Sequence, residues 1–414
     1  MSTESATIPA EQVATASPYG TTFWLSYLAN TALIVCLSLQ FRYADFILYL
    51  GGNELLLGYV TGCGMFGALF ARLGQGPLID RIGSKTVWLV SLIVLNVSLM
   101  LHLLIHDLGP AVYLVRLLMM IGFAGAFGAS LTFISVRAPA GRTAEMIGML
   151  GSSGFIGLAI GPILGDWIYG PKGSDILWSQ VSQMFGIAIA AVSVSLFFAF
   201  LATRNDPPVI KTDHPSPLQL IKKYHPGWIL LMSFVMGIGL FLPQIFLSSF
   251  TKEMGLNGIK VFFVVYAIVA FSVRLCTATF PQRYGVKRMT VIGVMLLAMS
   301  AICYPLVHTD AMLALPAVFG GLAHAFLFPA IIGGGSSAFP RKYRGTGTTL
   351  MLAALDTGGL VGQPVIGTMI VSARDAGLPA YDTMFFVVAS FMCLMALLFA
   401  FFGNDNKCER LESE

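Results

Sequence analysis

Seven ionisable residues stand where an ionisable side chain is costly. Arg42, Asp45, Arg72, Arg116, Arg274, His324 and Asp356 all fall within long apolar runs. A charge at the centre of a bilayer costs about 2.5–3.5 kcal/mol on insertion scales, and such residues usually face a cavity or a partner. The chemistry open to them is ion pairing, recognition of a polar solute and proton transfer. A carboxyl group in an apolar cavity holds its proton more tightly, and a nearby guanidinium or cationic solute loosens it. Asp45 or Asp356 can therefore couple proton uptake to solute binding by competition. Arg42 and Asp45, three apart, share a helix face and can equally form a structural ion pair. Arg72 and Arg274 can snorkel or cap an opposing helix, and His324 can be a hydrogen-bonded core residue. Gln244, with Gln40, Asn30, Tyr27, Tyr43 and Tyr266, offers hydrogen bonds and stacking to a solute. Four arginines against two acids tilt this interior toward an anionic or zwitterionic solute.

Such residues need a scaffold of spanning helices. Of the 414 residues, 56% are hydrophobic and 11% charged, against about 45–50% and about 25% in soluble domains. A spanning helix takes about 20 apolar residues. Apolar stretches broken by turn residues predict twelve spans, at 21–50, 54–77, 86–106, 110–136, 143–169, 180–203, 226–250, 258–280, 287–308, 312–338, 345–372 and 382–403. Between the sixth and seventh, Asp206-Pro207-Pro208, Pro215, Pro217 and Lys222-Lys223 form a polar linker that cannot continue either helix. The expected organisation is an N-terminal tail (1–20), a six-helix bundle (21–203), a linker (204–225), a second six-helix bundle (226–403) and a C-terminal tail (404–414).

Sixteen of the 24 Lys and Arg fall on the linker side, and Lys172, Lys252, Lys260 and Arg374 on the other. That imbalance places the linker and both termini in the cytoplasm. The first twenty residues contain no Lys or Arg and so lack the basic flank of a secretion signal. Six cysteines are spread singly, with no spacing for a metal site or a disulfide framework. The net charge of +4, without clustered Lys and Arg on a folded face, excludes nucleic acid as a partner. No G-x-x-x-x-G-K-[ST] loop occurs and the connections are short, so neither an enzyme nor an ATP-driven pump is expected, and no cofactor or metal is needed.

The two halves repeat. Arg72-Leu73, Arg81, Gly83 and Lys85 return as Arg274-Leu275, Arg283, Gly285 and Lys287, all displaced by 202 residues. Arg142, Gly157-Leu158, Pro162 and Gly165 return as Arg344, Gly359-Leu360, Pro364 and Gly367 at the same offset. A register held this long points to a duplicated six-helix unit. Because six is even, the copies share orientation and are related by an axis along the membrane normal.

The turn Gly76-Pro77-Leu78-Ile79-Asp80-Arg81-Ile82-Gly83-Ser84-Lys85 resembles the major facilitator superfamily signature G-x-L-[AS]-D-R-x-G-[RK]-[RK], with Ile79 for a small residue and Ser84 for a base. The resemblance covers all twelve spans. It implies an all-α membrane protein of two pseudo-symmetric six-helix bundles that moves a small molecule across the inner or plasma membrane, most simply as a monomer. It also implies that Asp80, with Arg137 at the end of span 4, clamps span 11 while the outward-facing state is shut inside. Gly157, Gly161, Pro162 and Gly165 are similar to the family's G-x-x-x-G-P-x-x-G-G pattern of exporters, with Asp166 for the last glycine. Arg116 resembles the R-x-x-x-G motif tied to proton coupling, although Met120 stands where glycine is expected. Phe241-Leu242-Pro243 and Phe262 to Ala267 resemble the arabinose-efflux-like branch of drug and metabolite antiporters. The expectation is thus a proton-coupled exporter of a small organic solute. An importer of a sugar or carboxylate, or a receptor that keeps the fold without transporting, are the alternatives.

Overall fold

In hydrocarbon every backbone N–H and C=O must find its partner inside the protein, and an uninterrupted apolar run does so only as a helix. A computed structural model describes residues 19–137, 143–170, 176–204, 217–277, 284–340 and 343–403. The C-terminal tail and nearly all of the N-terminal tail lie outside these. The first half contains α1 (Thr21–Tyr49), α2 (Glu54–Ile82), α3 (Ser84–His102), α4 (Pro110–Arg137), α5 (Thr143–Tyr169) and α6 (Trp178–Ala202). The second contains α7 (Trp228–Glu253), α8 (Lys260–Thr277), α9 (Val286–Cys303), α10 (314–337), α11 (Arg344–Asp375) and α12 (Ala380–Phe402). Among the described residues, eleven helices are long and apolar enough to cross a membrane. The remaining helix, α8, is described over 18 residues.

Two of these helices are irregular. A tighter 3-10 turn at Gln40–Arg42 interrupts α1, and a wider π turn at Phe328–Gly333 interrupts α10. A third departure from expectation lies in the linker, where Pro217–Lys223 forms a short helix. Proline is tolerated at a first helical position because its missing N–H would have had no partner there. Leu220 of this helix is buried beside Ala338 and Phe339.

Within the first half, α1 packs on α5 and α6, α2 on α4, and α3 on α4 and α6. In the second half α7 packs on α11, α8 on α10, and α9 on α10 and α12. The halves meet through α2 against α11 and α5 against α8. These two contacts exchange under the 202-residue correspondence, so the repeat seen in the chain is also a repeat of packing. Gly83 and its counterpart Gly285 mark the same sharp entry, into α3 and α9, with φ 87° and 82° and ψ 152° and 148°. That backbone region is essentially restricted to glycine.

Chain alternation puts the start of α1 and the linker on one face, called here the linker face. The α1–α2, α5–α6, α7–α8 and α11–α12 turns lie on the opposite face.

Candidate functional site

On the opposite face the halves are tied by charge. The 3-10 turn in α1 carries Arg42, whose Nε lies 2.7 Å from Asp45, close as an ion pair but not aligned as a hydrogen bond. Its Nη1 donates to Asp166 of α5 at 3.2 Å, and its guanidinium lies 4.8 Å from the centre of the Tyr169 ring. Asp45 is fully buried, and from α7 it receives an ion pair with Lys252 and a hydrogen bond from the Ser248 hydroxyl at 2.9 Å. Asp166 accepts the backbone N–H groups of Ile259 and Lys260, at 3.1 and 2.7 Å, where α8 begins. Nearer the surface, Arg374 of α11 donates to Glu54 of α2 at 2.9 and 3.1 Å and to Glu253 of α7 at 2.7 Å. The Tyr381 hydroxyl of α12 donates to Glu54 at 3.1 Å.

Moving inward, α2 and α11 stay in close contact through glycines. A Cβ on Gly58 would strike the Gln363 backbone, one on Gly62 would meet Pro364, and one on Gly359 would meet Phe241 and Met65. The contact reaches the buried ion pair between Arg72 and Asp356, 7% and 3% exposed. Beyond it toward the linker face, a Cβ on Gly345 meets nothing within 4 Å. The second seam behaves likewise. Phe155 of α5 packs on Ala267 and Ala270 of α8, whereas Gly151 and Gly154, toward the linker face, meet nothing within 4 Å. The halves are therefore tied to each other on the opposite face, and on the linker side of these seams a Cβ at Gly345, Gly151 or Gly154 has no neighbour within 4 Å.

Arg116, 3% exposed, has no carboxylate partner among the described residues. It sits in the first half with its guanidinium 4.1 Å from the Tyr43 ring centre and its Nη1 3.7 Å from the Met119 sulfur. The Tyr43 hydroxyl lies 3.3 Å from His102 Nε2. Arg274 and His324 share a different environment. The Arg274 guanidinium lies 5.3 Å from the centre of the Phe328 ring, and the Tyr266 hydroxyl lies 2.5 Å from His324 Nδ1. Gln244, half-buried after Pro243 in α7, shares no polar contact with these groups among the described residues.

The glycines of the exporter-like pattern pack α5 onto α1. A Cβ on Gly157 would come within 2.7 Å of Ile34, one on Gly161 would strike the Ser38–Leu39 backbone, and one on Gly165 would come within 2.7 Å of Arg42 Cγ. Ser38 donates to the Gly157 carbonyl at 2.7 Å, and Pro162 lies inside the helix. Of the signature turn, Gly83 is buried, Arg81 exposed and Lys85 half-buried. Gly76 and Asp80 fall in α2, but their surroundings lie outside the described residues. Arg137 donates to the Phe133 carbonyl at 2.9 Å, with its guanidinium 3.6 Å from the Phe133 ring centre.

Arg42 with Asp45, and Arg72 with Asp356, are thus brought together, while Arg116, Gln244 and the Arg274–His324 group stand apart from them and from each other. The interior holds three acids rather than two, because Asp166 belongs to the Arg42 network. Asp166, Lys252, Glu54 and Arg374 are sites that the sequence reading misses. The signal available for Asp166 was its position one residue after Gly165 on the face that packs toward α1.

The fold and this interface define an integral membrane transporter built from two helix bundles. The major facilitator superfamily model matches residues 20–310 and 263–412, and the chain belongs to that family. It is 30% identical over 165 residues to multidrug resistance protein 1 of Bacillus subtilis, an alignment covering 39% of this chain and 40% of that protein. It is 23% identical over 342 residues to the agnestins efflux protein of Paecilomyces divaricatus, covering 81% of this chain and 75% of that one. Among solved structures, the nucleoside transporter NupG superposes with a TM-score of 0.73 at 15% identity, covering 93% of this chain and all of that one. A D-xylose-proton symporter gives 0.74 at 14% identity, covering 95% of this chain and all of that one. At such identities the structures share the fold and nothing more.

Proposed function

We propose that this transporter is a proton-coupled exporter of a small organic solute, working by alternating access between the bundles of residues 21–203 and 226–403. The observation that carries the proposal is the Arg72–Asp356 ion pair. It is a buried ion pair that joins α2 of the first half to α11 of the second. A proton on Asp356 removes the charge that holds Arg72, so proton binding and closure of the two halves draw on one interaction. The bias of Lys and Arg supports a cytoplasmic linker face, and on that reading the tied face is the outer one and the protein works as a monomer in the cell membrane. The multidrug resistance and efflux names of the relatives support the outward direction.

Everted vesicles loaded with a pH-sensitive dye test this with ethidium, salicylate and xylose as probes. The expected result is solute-dependent proton release from an acidified lumen, abolished by Asp356→Asn. Solute movement unaffected by a protonophore overturns the coupling. Uphill accumulation in right-side-out vesicles overturns export.

A further inference from the structure

The arginines of the membrane interior are not provided for alike. Arg42 has Asp45 and Asp166, Arg72 has Asp356, and Arg116 is sealed inside the first half against Tyr43. Arg274 is half-buried on α8 and, among the described residues, has no carboxylate partner. The 202-residue correspondence shows where one would come from. Arg274 is the counterpart of Arg72, and α8 meets α5 as α2 meets α11. The counterpart of Asp356 is then Gly154. At these corresponding positions the repeat therefore places a guanidinium on both seams and a carboxylate on only one. On the other seam a Cβ at the corresponding position meets nothing within 4 Å.

Aromatic side chains cluster where α5, α8 and α10 meet. Phe155, the residue after Gly154, has its ring centre 6.3 Å from Phe271 and 5.6 Å from His324, and His324 lies 5.6 Å from Phe328. Phe271 is 39% exposed. Helix α10 changes to its π turn at Phe328, the residue under Arg274, and such turns occur frequently at functional sites. A cation over a ring face recovers only part of what a charge in the membrane interior costs. An arriving anion would be stabilised by the charge that the ring leaves uncompensated.

We propose that Arg274 receives the carboxylate of an aromatic organic acid, which supplies the ion-pair partner that Gly154 lacks while its ring lies against Phe155, Phe271 and Phe328. The assignment rests on the reading that solute binds between the halves from the linker face.

Isothermal titration of the purified full-length protein tests it, with salicylate and benzoate as probes and benzyl alcohol and benzylamine as uncharged and cationic controls. The expected result is salicylate binding that Arg274→Gln weakens about tenfold or more, the scale of one charge-assisted contact. Arg274→Lys should keep part of the affinity, since the ammonium retains the charge but not the forked geometry. Gly154→Asp should abolish binding by giving Arg274 a carboxylate of its own, and this variant decides the matter where Arg274→Gln does not fold. Unchanged salicylate affinity in Arg274→Gln or Gly154→Asp, tighter binding of benzylamine than benzoate, or no binding of either acid to the wild type overturns the assignment. Proton-driven movement of ethidium without salicylate binding would sink this assignment alone. Salicylate held at Arg274 with no proton-linked transport of any probe would sink the exporter reading instead.

Discussion

The Asp166 carboxylate accepts the backbone N–H of Lys260 at 2.7 Å, so a side chain from the first half caps the opening turn of a helix in the second. The partial positive charge of a helix N-terminus favours an anion there, and the neighbouring N–H of Ile259 adds a second bond at 3.1 Å. Asp166→Asn keeps the shape and removes the charge. Hydrogen bonds to charged groups contribute about 1.5–3 kcal/mol each, so the closed state of the opposite face should lose population by about tenfold or more. Spin-label distances between the α5–α6 and α7–α8 turns should broaden toward longer values. An unchanged distribution would mean that the apolar seams alone hold this face shut.

Arg72 and Asp356 form a pair whose value lies in being complete. Removing one partner of a buried ion pair costs about 3–5 kcal/mol because the other charge is left unpaired. Asp356→Asn should therefore lower the melting temperature of the purified protein as well as stop transport. The double change Arg72→Gln with Asp356→Asn should recover much of that stability without recovering transport. Additive losses in the double-mutant cycle would show that the two residues do not act as a pair.

The helices are legible in the sequence because each is a run of apolar residues that lipid permits in one conformation. Where the reading falls short, charge is the reason. The predicted second span stops at 77, but α2 continues through Asp80 and Arg81 to Ile82, since leaving the bilayer does not end a helix and Gly83 does. The Arg42–Asp45 pair follows from spacing along one helix. The Arg72–Asp356 pair, 284 residues apart, needs the fold to bring it together. Asp166 reads as a lost glycine until α8 is seen to begin against it, 94 residues further on. The linker helix is hidden by prolines that mark a break, although Pro217 also begins a helix.

Gly83 and Gly285 make a prediction of a different kind. Both hold positive φ with extended ψ, where an added side chain costs about 1–3 kcal/mol of backbone strain. Gly83→Ala and Gly285→Ala should each reduce thermal stability by that order. The two losses should add, because each glycine sits at its own helix junction. Hydrogen exchange should quicken first in the opening turns of α3 and α9. Exchange that quickens only elsewhere would count against a local origin.

The two ionic layers of the opposite face differ in burial, and so in their response to salt. The Arg374 side chain is 42% exposed and those of Glu54 and Glu253 are 12% and 45% exposed, whereas the Arg42 and Asp166 side chains are 5% and 4% exposed. Exposed ion pairs contribute about 0–1 kcal/mol, and at about 1 M salt the screening length falls to about 3 Å. Arg374→Gln should thus change the melting temperature little, and its effect on closure of this face should fade at high salt. The effect of Asp166→Asn should persist there, because its partners include the buried backbone N–H of Ile259 and a buried guanidinium. Measuring the same spin-label distances in both variants at low and high salt separates the layers. Equal salt sensitivity would require water to reach Asp166 and would demote it from a buried cap to a surface contact.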